Sequence, residues 1–232
     1  MQNLTTIGFD ADDTLWQNER FFRLTQDRFA DLLRDHAEPD HLMERLLAAE
    51  RRNLGHYGFG IKGFVLSMIE TAIEVTDHRV PASVIAELIA AGQEMLRHPI
   101  ELLPHARETL EAVASTHRIL LITKGDLLHQ ERKLAQSGLG DLFDGVEIVS
   151  AKTRPIYEAI CARHGDGPGR GMMVGNSMRS DVVPVIEAGG WGVHVPHGLV
   201  WEIEMAETPH DAPRYRELAD LGHLPDLVRL IG

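Results

Sequence analysis

Ile7-Gly8-Phe9-Asp10-Ala11-Asp12-Asp13-Thr14-Leu15 carries a short apolar run straight into a cluster of acids. The run reads as a buried strand, and two carboxylates, Asp10 and Asp12, stand two residues apart where it ends. Residues i and i+2 of a strand project to the same side, so this spacing lets Asp10 and Asp12 address one crevice. In open α/β sheets ligands bind in the crevice outside the carboxyl ends of the strands. Taken alone, the segment fits equally well a solvated acidic turn or an Asp that caps the next helix.

Four more apolar runs follow: Ile119–Ile122, Val146–Val149, Met172–Val174 and Val193–Val195. Each is short and leads into a polar or glycine-containing turn, as expected of strands buried on both faces of a parallel sheet. Helical patterns lie between them, at Ala106–Ala114, Leu128–Ser137, Ile156–His164 and Asp181–Ala188. This alternation predicts an α/β fold, a Rossmann-like open parallel sheet with helices on both faces.

Roughly a hundred residues separate the first two runs, far more than one crossover helix needs. Three apolar stripes at helical spacing fill most of them. Met43, Leu46 and Leu47 begin the first; Phe64, Val65, Met68, Ile69, Ala72 and Ile73 form the second; Val84, Ile85, Leu88, Ile89, Met95 and Leu96 form the third. Pro39 and Pro81 sit where proline is tolerated, near helix starts. Gln17–Arg97 is therefore expected to be a small helical domain inserted into a core made of 1–16 and 98–232.

The 232 residues are 44% hydrophobic and 25% charged, which is globular composition and excludes a disordered or disulfide-stapled chain. Acidic residues outnumber basic ones by 35 to 23, for a net charge of -12, and such a surface repels phosphate backbones and anionic lipid. Neither a nucleic-acid polymer nor a membrane is an expected partner. A small anion in a local cleft is still compatible. Cys161 is the one cysteine and has no internal disulfide partner; it reads as a small apolar helix residue in a reducing compartment. Met1–Phe9 lacks the basic and apolar pattern of an export signal, and the expected location is cytoplasmic.

Three further segments follow predicted strands. Thr123, in Leu121-Ile122-Thr123-Lys124-Gly125, offers a hydroxyl and a turn of backbone N–H groups that can hold a phosphate. Lys152, in Ser150-Ala151-Lys152-Thr153-Arg154-Pro155, offers a positive charge. Gly175-Asn176-Ser177, with Asp181 shortly after, offers oxygen ligands for a hard cation. Singly these are a turn residue, a surface lysine and a helix-start acid. Their common position after successive strands gives them one meaning.

The ordered set resembles the haloacid dehalogenase superfamily over the whole chain. Its Asp-x-Asp-x-Thr motif matches Asp10-Ala11-Asp12-Asp13-Thr14, and its strand-ending Thr or Ser matches Thr123. Its Lys before Pro-x-Pro matches Lys152, with Pro155 kept and Thr153 in place of the first proline. Its Gly-Asp followed by a second Asp matches Gly175-Asn176 and Asp181, with an amide for the first acid. The helical insert resembles the cap domain of one subclass.

The resemblance implies a Mg²⁺-dependent hydrolase of small phosphate monoesters, working through an aspartyl-phosphate. Asp10 would be the nucleophile and Asp12 the general acid and base. Thr123 and Lys152 would bind the phosphoryl oxygens, and Lys124 would either add a second positive charge there or be a solvated lysine. Mg²⁺ would be held by Asp10, the backbone carbonyl of Asp12, Asn176 and Asp181. A 2-haloacid dehalogenase, a phosphomutase and a catalytically idle binding module remain alternatives; the dehalogenases of the family lack an acid at the Asp12 position, because halide leaves without a proton.

A cap over the sheet edge implies a small phosphorylated metabolite as substrate. Tyr57-Gly58-Phe59-Gly60-Ile61-Lys62-Gly63 reads either as a substrate-reading loop or as an interhelical turn, and Arg51 and Arg52 as solvated helix residues. His194 and His197 read as loop histidines rather than ligands, since a hard-cation site has oxygens already. Monomer and homodimer are both open.

Overall fold

The computed structural model describes residues 3–232. Met1 and Gln2, the first residues of the stretch read as lacking an export signal, lie outside the described residues.

The core is an open parallel sheet of six strands: β1 (Thr6–Phe9), β2 (Arg118–Lys124), β3 (Gly145–Val149), β4 (Gly171–Gly175), β5 (Trp191–His194) and β6 (Tyr215–Glu217). Their spatial order is β3-β2-β1-β4-β5-β6. The chain builds outward from β1 in one direction and then crosses to the other side of β1, so the order reverses between β1 and β4. That reversal opens the ligand crevice of such sheets at the carboxyl ends of β1 and β4.

Burial follows the strand period of two. Ile119 and Leu121 of β2 and Met172 and Val174 of β4 share one apolar cluster with Ala106, Leu110, Leu224 and Val228. Those last four belong to α5 (Ala106–Ala114) and α9 (Leu224–Ile231). Leu120, Ile122 and Met173 point the other way, against Tyr157, Ile160 and Val185 of α7 (Arg154–His164) and α8 (Val183–Glu187). Helices cover both faces, as the sequence implies.

Three features differ from the sequence reading. β3 is an edge strand with Val146 41% exposed, so it is not buried on both faces. A sixth strand, β6, is present; with three residues, Tyr-Arg-Glu, it carries no apolar run to reveal it. The expected helix over Asp181–Ala188 is instead a π-helical turn, Met178–Val182, followed by the five-residue α8. Pro184 near the start of α8 lacks the N–H of a helix interior, and the wider turn before it brings Asp181 into the core.

Between β1 and β2 lie α1 (Glu19–Leu33), α2 (Pro39–Tyr57), α3 (Ile61–Val75) and α4 (Ala82–Arg97). Their inward faces form a separate apolar cluster of Phe29, Leu33, Leu42, Leu46, Phe64, Met68 and Leu88 among others. The chain divides into one compact unit of Met1–Glu19, Ile100–Lys124 and Gln130–Gly232, and another of Arg20–Pro99 and Gly125–His129. Asp126 belongs with the helices, where its carboxylate accepts from Lys62 Nζ at 2.5 Å. Among the described residues no helix is long and apolar enough to cross a membrane.

Candidate active site

Asp10 is the first residue past β1 and is still fastened to β4, its N–H donating to the Val174 carbonyl at 2.9 Å. Its Oδ1 accepts from Lys152 Nζ at 2.5 Å, and the same ammonium donates to Asp181 Oδ1 at 2.7 Å. The Lys152 side chain is 1% exposed and that of Asp181 is fully buried. Lys152 arrives from the loop between β3 and α7, and Asp181 from the π-turn after β4. Asp181 is aimed by its second oxygen, which accepts from the Ser177 N–H at 3.0 Å.

Two carboxylates share one ammonium away from water, so the trio carries a surplus negative charge. Burial, and then the neighbouring Asp181, push the Asp10 carboxyl up to about 7 against the pull of Lys152. Burial would lower the Lys152 ammonium, but Asp10 and Asp181 together hold it above the usual lysine range. A place that crowds negative oxygens around one cation suits a second cation.

Asp12 does not share Lys152. The chain leaves the strand after Phe9, so the two-residue alternation does not run on to Asp12. Its Oδ1 accepts from Trp16 Nε1 and from Lys133 Nζ, both at 2.7 Å, and its Oδ2 from Gln130 Nε2 at 3.0 Å. Gln130 and Lys133 lie on α6 (Leu127–Ser137). Burial would raise the Asp12 carboxyl, but Lys133, then Gln130 and Trp16, outweigh it and hold the group below the ordinary range. Asp12 is thus an ionised carboxylate at rest.

Asp13 takes the helix-capping role in this acidic cluster. With φ of 58° it turns its side chain onto the N–H groups of Asn18, at 2.8 Å, and Glu19, at 2.9 Å. Burial, and then Asp12, raise its carboxyl to about 6. Thr14 ties the first loop to the fourth: its Oγ1 accepts from the Asn176 N–H at 3.1 Å and donates to Asn176 Oδ1 at 3.3 Å.

Thr123 is buried, and its hydroxyl accepts from Gln130 Nε2 at 3.2 Å. Gln130 therefore bridges Asp12 and Thr123. β2 runs one residue past Thr123, and Lys124 is not a solvated lysine. It pairs with Glu204 and donates to Ser180 Oγ at 2.7 Å. Burial lowers its ammonium, against the opposing pull of Glu204.

Asp10, Lys152 and Asp181 are in direct contact; Asp12 and Thr123 meet through Gln130; Asn176 rests on Thr14. His194, at the end of β5, meets the Asn176 carbonyl at 3.1 Å and Glu217 at 3.3 Å, while His197 lies 3.7 Å from Asp13. His197 lies in the loop after β5 as read from sequence, whereas His194 is the last residue of the strand itself, since its pairing with β4 and β6 carries the strand one residue past Val193. Among the described residues no three His, Cys, Asp or Glu side chains gather as a metal-binding group. The donors available are the carboxylates of Asp10 and Asp181, the amide oxygen of Asn176 and the backbone carbonyl of Asp12. All are hard oxygens, and two of them already converge on a positive charge, so their chemistry fits Mg²⁺.

Trp16, Gln130, Lys133, Ser180 and Glu204 escape a motif-by-motif reading. The α6 residues leave one trace: the buried positions of that helix include His129, Gln130, Lys133 and Ser137, polar residues where an amphipathic helix would place apolar ones. Glu204 leaves none, for it sits in a short turn, Glu202–Glu204, far along the chain. In the helical unit, Gly58 and Gly60 take positive φ in the turn between α2 and α3, Tyr57 Oη donates to Glu70 at 3.3 Å, and Arg52 pairs with the same acid.

An aspartate at the end of the central strand thus meets a buried lysine and, through it, a second aspartate from a neighbouring loop, at the crevice where open α/β sheets bind ligands. The model of the haloacid dehalogenase-like hydrolases matches residues 4–189, and the chain belongs to that family. A haloacid dehalogenase-like family hydrolase from Xanthomonas campestris is 42% identical, with TM-score 0.88 over 99% of this chain and 92% of that one. A protein described as a predicted phosphoglycolate phosphatase from Haemophilus somnus is 17% identical, TM-score 0.67, over 98% and 99% of the two chains. L-2-haloacid dehalogenase from Xanthobacter autotrophicus is 18% identical, TM-score 0.64, over 99% and 100%. The last two, at such identity, share the fold alone. No protein of curated function matches in sequence.

Proposed function

We propose that this hydrolase releases phosphate from small phosphate monoesters, with Asp10 as nucleophile. The observation that carries the reading is Asp12, a carboxylate two residues past Asp10 with three donors of its own. An alkoxide leaving group needs a proton and a halide does not, so an acid at this position favours oxygen–phosphorus cleavage over dehalogenation.

In the first step an Asp10 oxygen bonds to phosphorus as the ester oxygen departs, taking a proton from Asp12. Lys133 keeps Asp12 ionised at rest, so Asp12 first takes a proton from the entering phosphate monoanion or from water; the second step, in which Asp12 takes a proton from the attacking water, restores the acid form. In the second step Asp12 takes a proton from water, which attacks phosphorus and frees Asp10. Lys152 and the Thr123 hydroxyl bind non-bridging phosphoryl oxygens, where the transition state spreads its charge. Asp10, the Asp12 carbonyl, Asn176 and Asp181 would hold Mg²⁺, which supplies charge neutralisation between the carboxylate and the phosphate dianion.

In the same reading residues 17–97 serve as a cap domain that restricts substrates to small metabolites, and the single cysteine suits a cytoplasmic setting. A panel of phosphate monoesters and 2-haloacids, assayed with Mg²⁺ and with EDTA, tests it. Mg²⁺-dependent phosphate release supports the reading; halide release, undiminished by EDTA, replaces it with dehalogenation.

A further inference from the structure

Glu204 stands in the turn after β5 and is a largely buried acid, bonded to three side chains, that the proposed chemistry leaves unused. Its Oε2 accepts from Ser177 Oγ at 2.5 Å and from Ser180 Oγ at 2.6 Å, and its Oε1 pairs with Lys124 Nζ. The turn is held a second time by Arg179, which donates to the Ile203 carbonyl at 3.1 Å. The side chains of Lys124 and Glu204 are only 15% and 13% exposed. Burial opposes ionisation of Glu204, but Lys124 and the two serines outweigh it and hold the carboxyl below the ordinary range.

One ammonium and two hydroxyls on a common carboxylate make an anion-binding arrangement whose occupant is part of the chain. Its location matters. Lys124 follows Thr123 directly, Ser180 precedes Asp181, and Ser177 supplies the N–H that aims Asp181. The subsite therefore borders the Asp10–Lys152–Asp181 centre. Without Glu204, Lys124 would lose its buried carboxylate partner, and a second anionic group on a substrate would be able to take that carboxylate's place.

We propose that Glu204 is a specificity-determining residue: by filling the Lys124–Ser177–Ser180 subsite it directs the site to phosphate monoesters whose remainder is uncharged, and against those bearing a second anion. The proposal rests on the phosphatase reading and narrows its substrate class. An entering carboxylate must displace a built-in one or lie beside it, and like charges at such range repel strongly in a poorly solvated place.

Two substrates of matched size separate the cases: 2-hydroxyethyl phosphate, with a neutral end, and 2-phosphoglycolate, with a carboxylate. The wild type is expected to favour the neutral ester in kcat/KM by at least about tenfold, and Glu204→Gln to shift that ratio towards phosphoglycolate by about tenfold. Lys124→Met added to Glu204→Gln should reverse the shift. Calorimetric binding of both esters to Asp10→Asn, with and without Glu204→Gln, reads the same preference without turnover. Should Glu204→Gln fail to fold, Lys124→Gln replaces it and should disfavour phosphoglycolate further, leaving the Glu204 charge unopposed. A preference, in turnover or in binding, that is unmoved by these changes overturns the proposal alone; halide release from 2-haloacids, undiminished by EDTA and with no phosphate release from any monoester, overturns the phosphatase reading beneath it.

Discussion

Gly175 and Asp181 fit together so closely that a β-carbon on Gly175 would lie 2.2 Å from Asp181 Oδ2. The carboxylate that shares Lys152 with Asp10 thus lies over the bare backbone at the end of β4. Gly175 is not in the left-handed region, so the requirement is for space and not for an unusual dihedral.

Gly175→Ala should therefore cost about 1–3 kcal/mol through overpacking and dislodge Asp181 from Lys152. Denaturant melts measure the first effect. Retention of wild-type stability would mean that the β4 turn yields easily and that Asp181 is not fixed by it.

The surplus charge of the trio makes a pH-dependent stability in metal-free protein. The Asp10 carboxyl is raised from its ordinary value to about 7, so the folded chain binds a proton that the unfolded chain has lost. Its stabilising contribution is present below about pH 4 and declines as pH rises towards 7, by no more than about 4 kcal/mol. In chelator, Asp10→Asn should accordingly be more stable than wild type at pH 8, with the difference closing near pH 4. An unchanged or lower stability of Asp10→Asn at pH 8 would contradict the charge account.

How much of this was readable from sequence depends on whether one loop held the whole signal. Asp10, Thr123, Lys152 and Asp181 each follow a short apolar run, and the run announces the strand end that positions them. Apart from Trp16, the partners of Asp12 come from α6, and those of Lys124 from turns on either side of β5, so their meaning exists only after folding. The π-turn at Met178–Val182 was hidden for a related reason: its residues have helical composition, and the register that brings Asp181 inward comes from packing on Gly175. β6 was invisible because an edge strand of three polar or amphipathic residues carries no period.

Cys161 offers a check on burial within α7. Its thiol is 7% exposed, and burial pushes it up to about 11. Modification by a thiol reagent at pH 8 should be at least about a hundredfold slower than for a free thiol, and should accelerate on adding denaturant. Rapid stoichiometric labelling of the native protein would contradict the packing of α7 on the sheet.

Asn176 is the amide where the family motif has an acid, and it is held by Thr14 at both its N–H and its side-chain oxygen. If that oxygen serves the metal, Asn176→Asp adds charge to the donor set, and half-maximal activation should need several-fold less Mg²⁺. KM for the substrate should rise, since the added charge repels the phosphate. Superimposed Mg²⁺ activation curves for the two proteins would remove Asn176 from the metal set.

The central claim is a covalent phosphoryl bond on Asp10, and the most direct measurement looks for it. Acid quenching of the enzyme during turnover of a hydrolysed monoester, followed by peptide mass mapping, should find a phosphoryl adduct on the peptide that contains Asp10 and none in Asp10→Asn. Turnover that leaves this peptide unmodified while another carries the phosphoryl group, or an alkyl ester formed on Asp10 from a 2-haloacid, would contradict it.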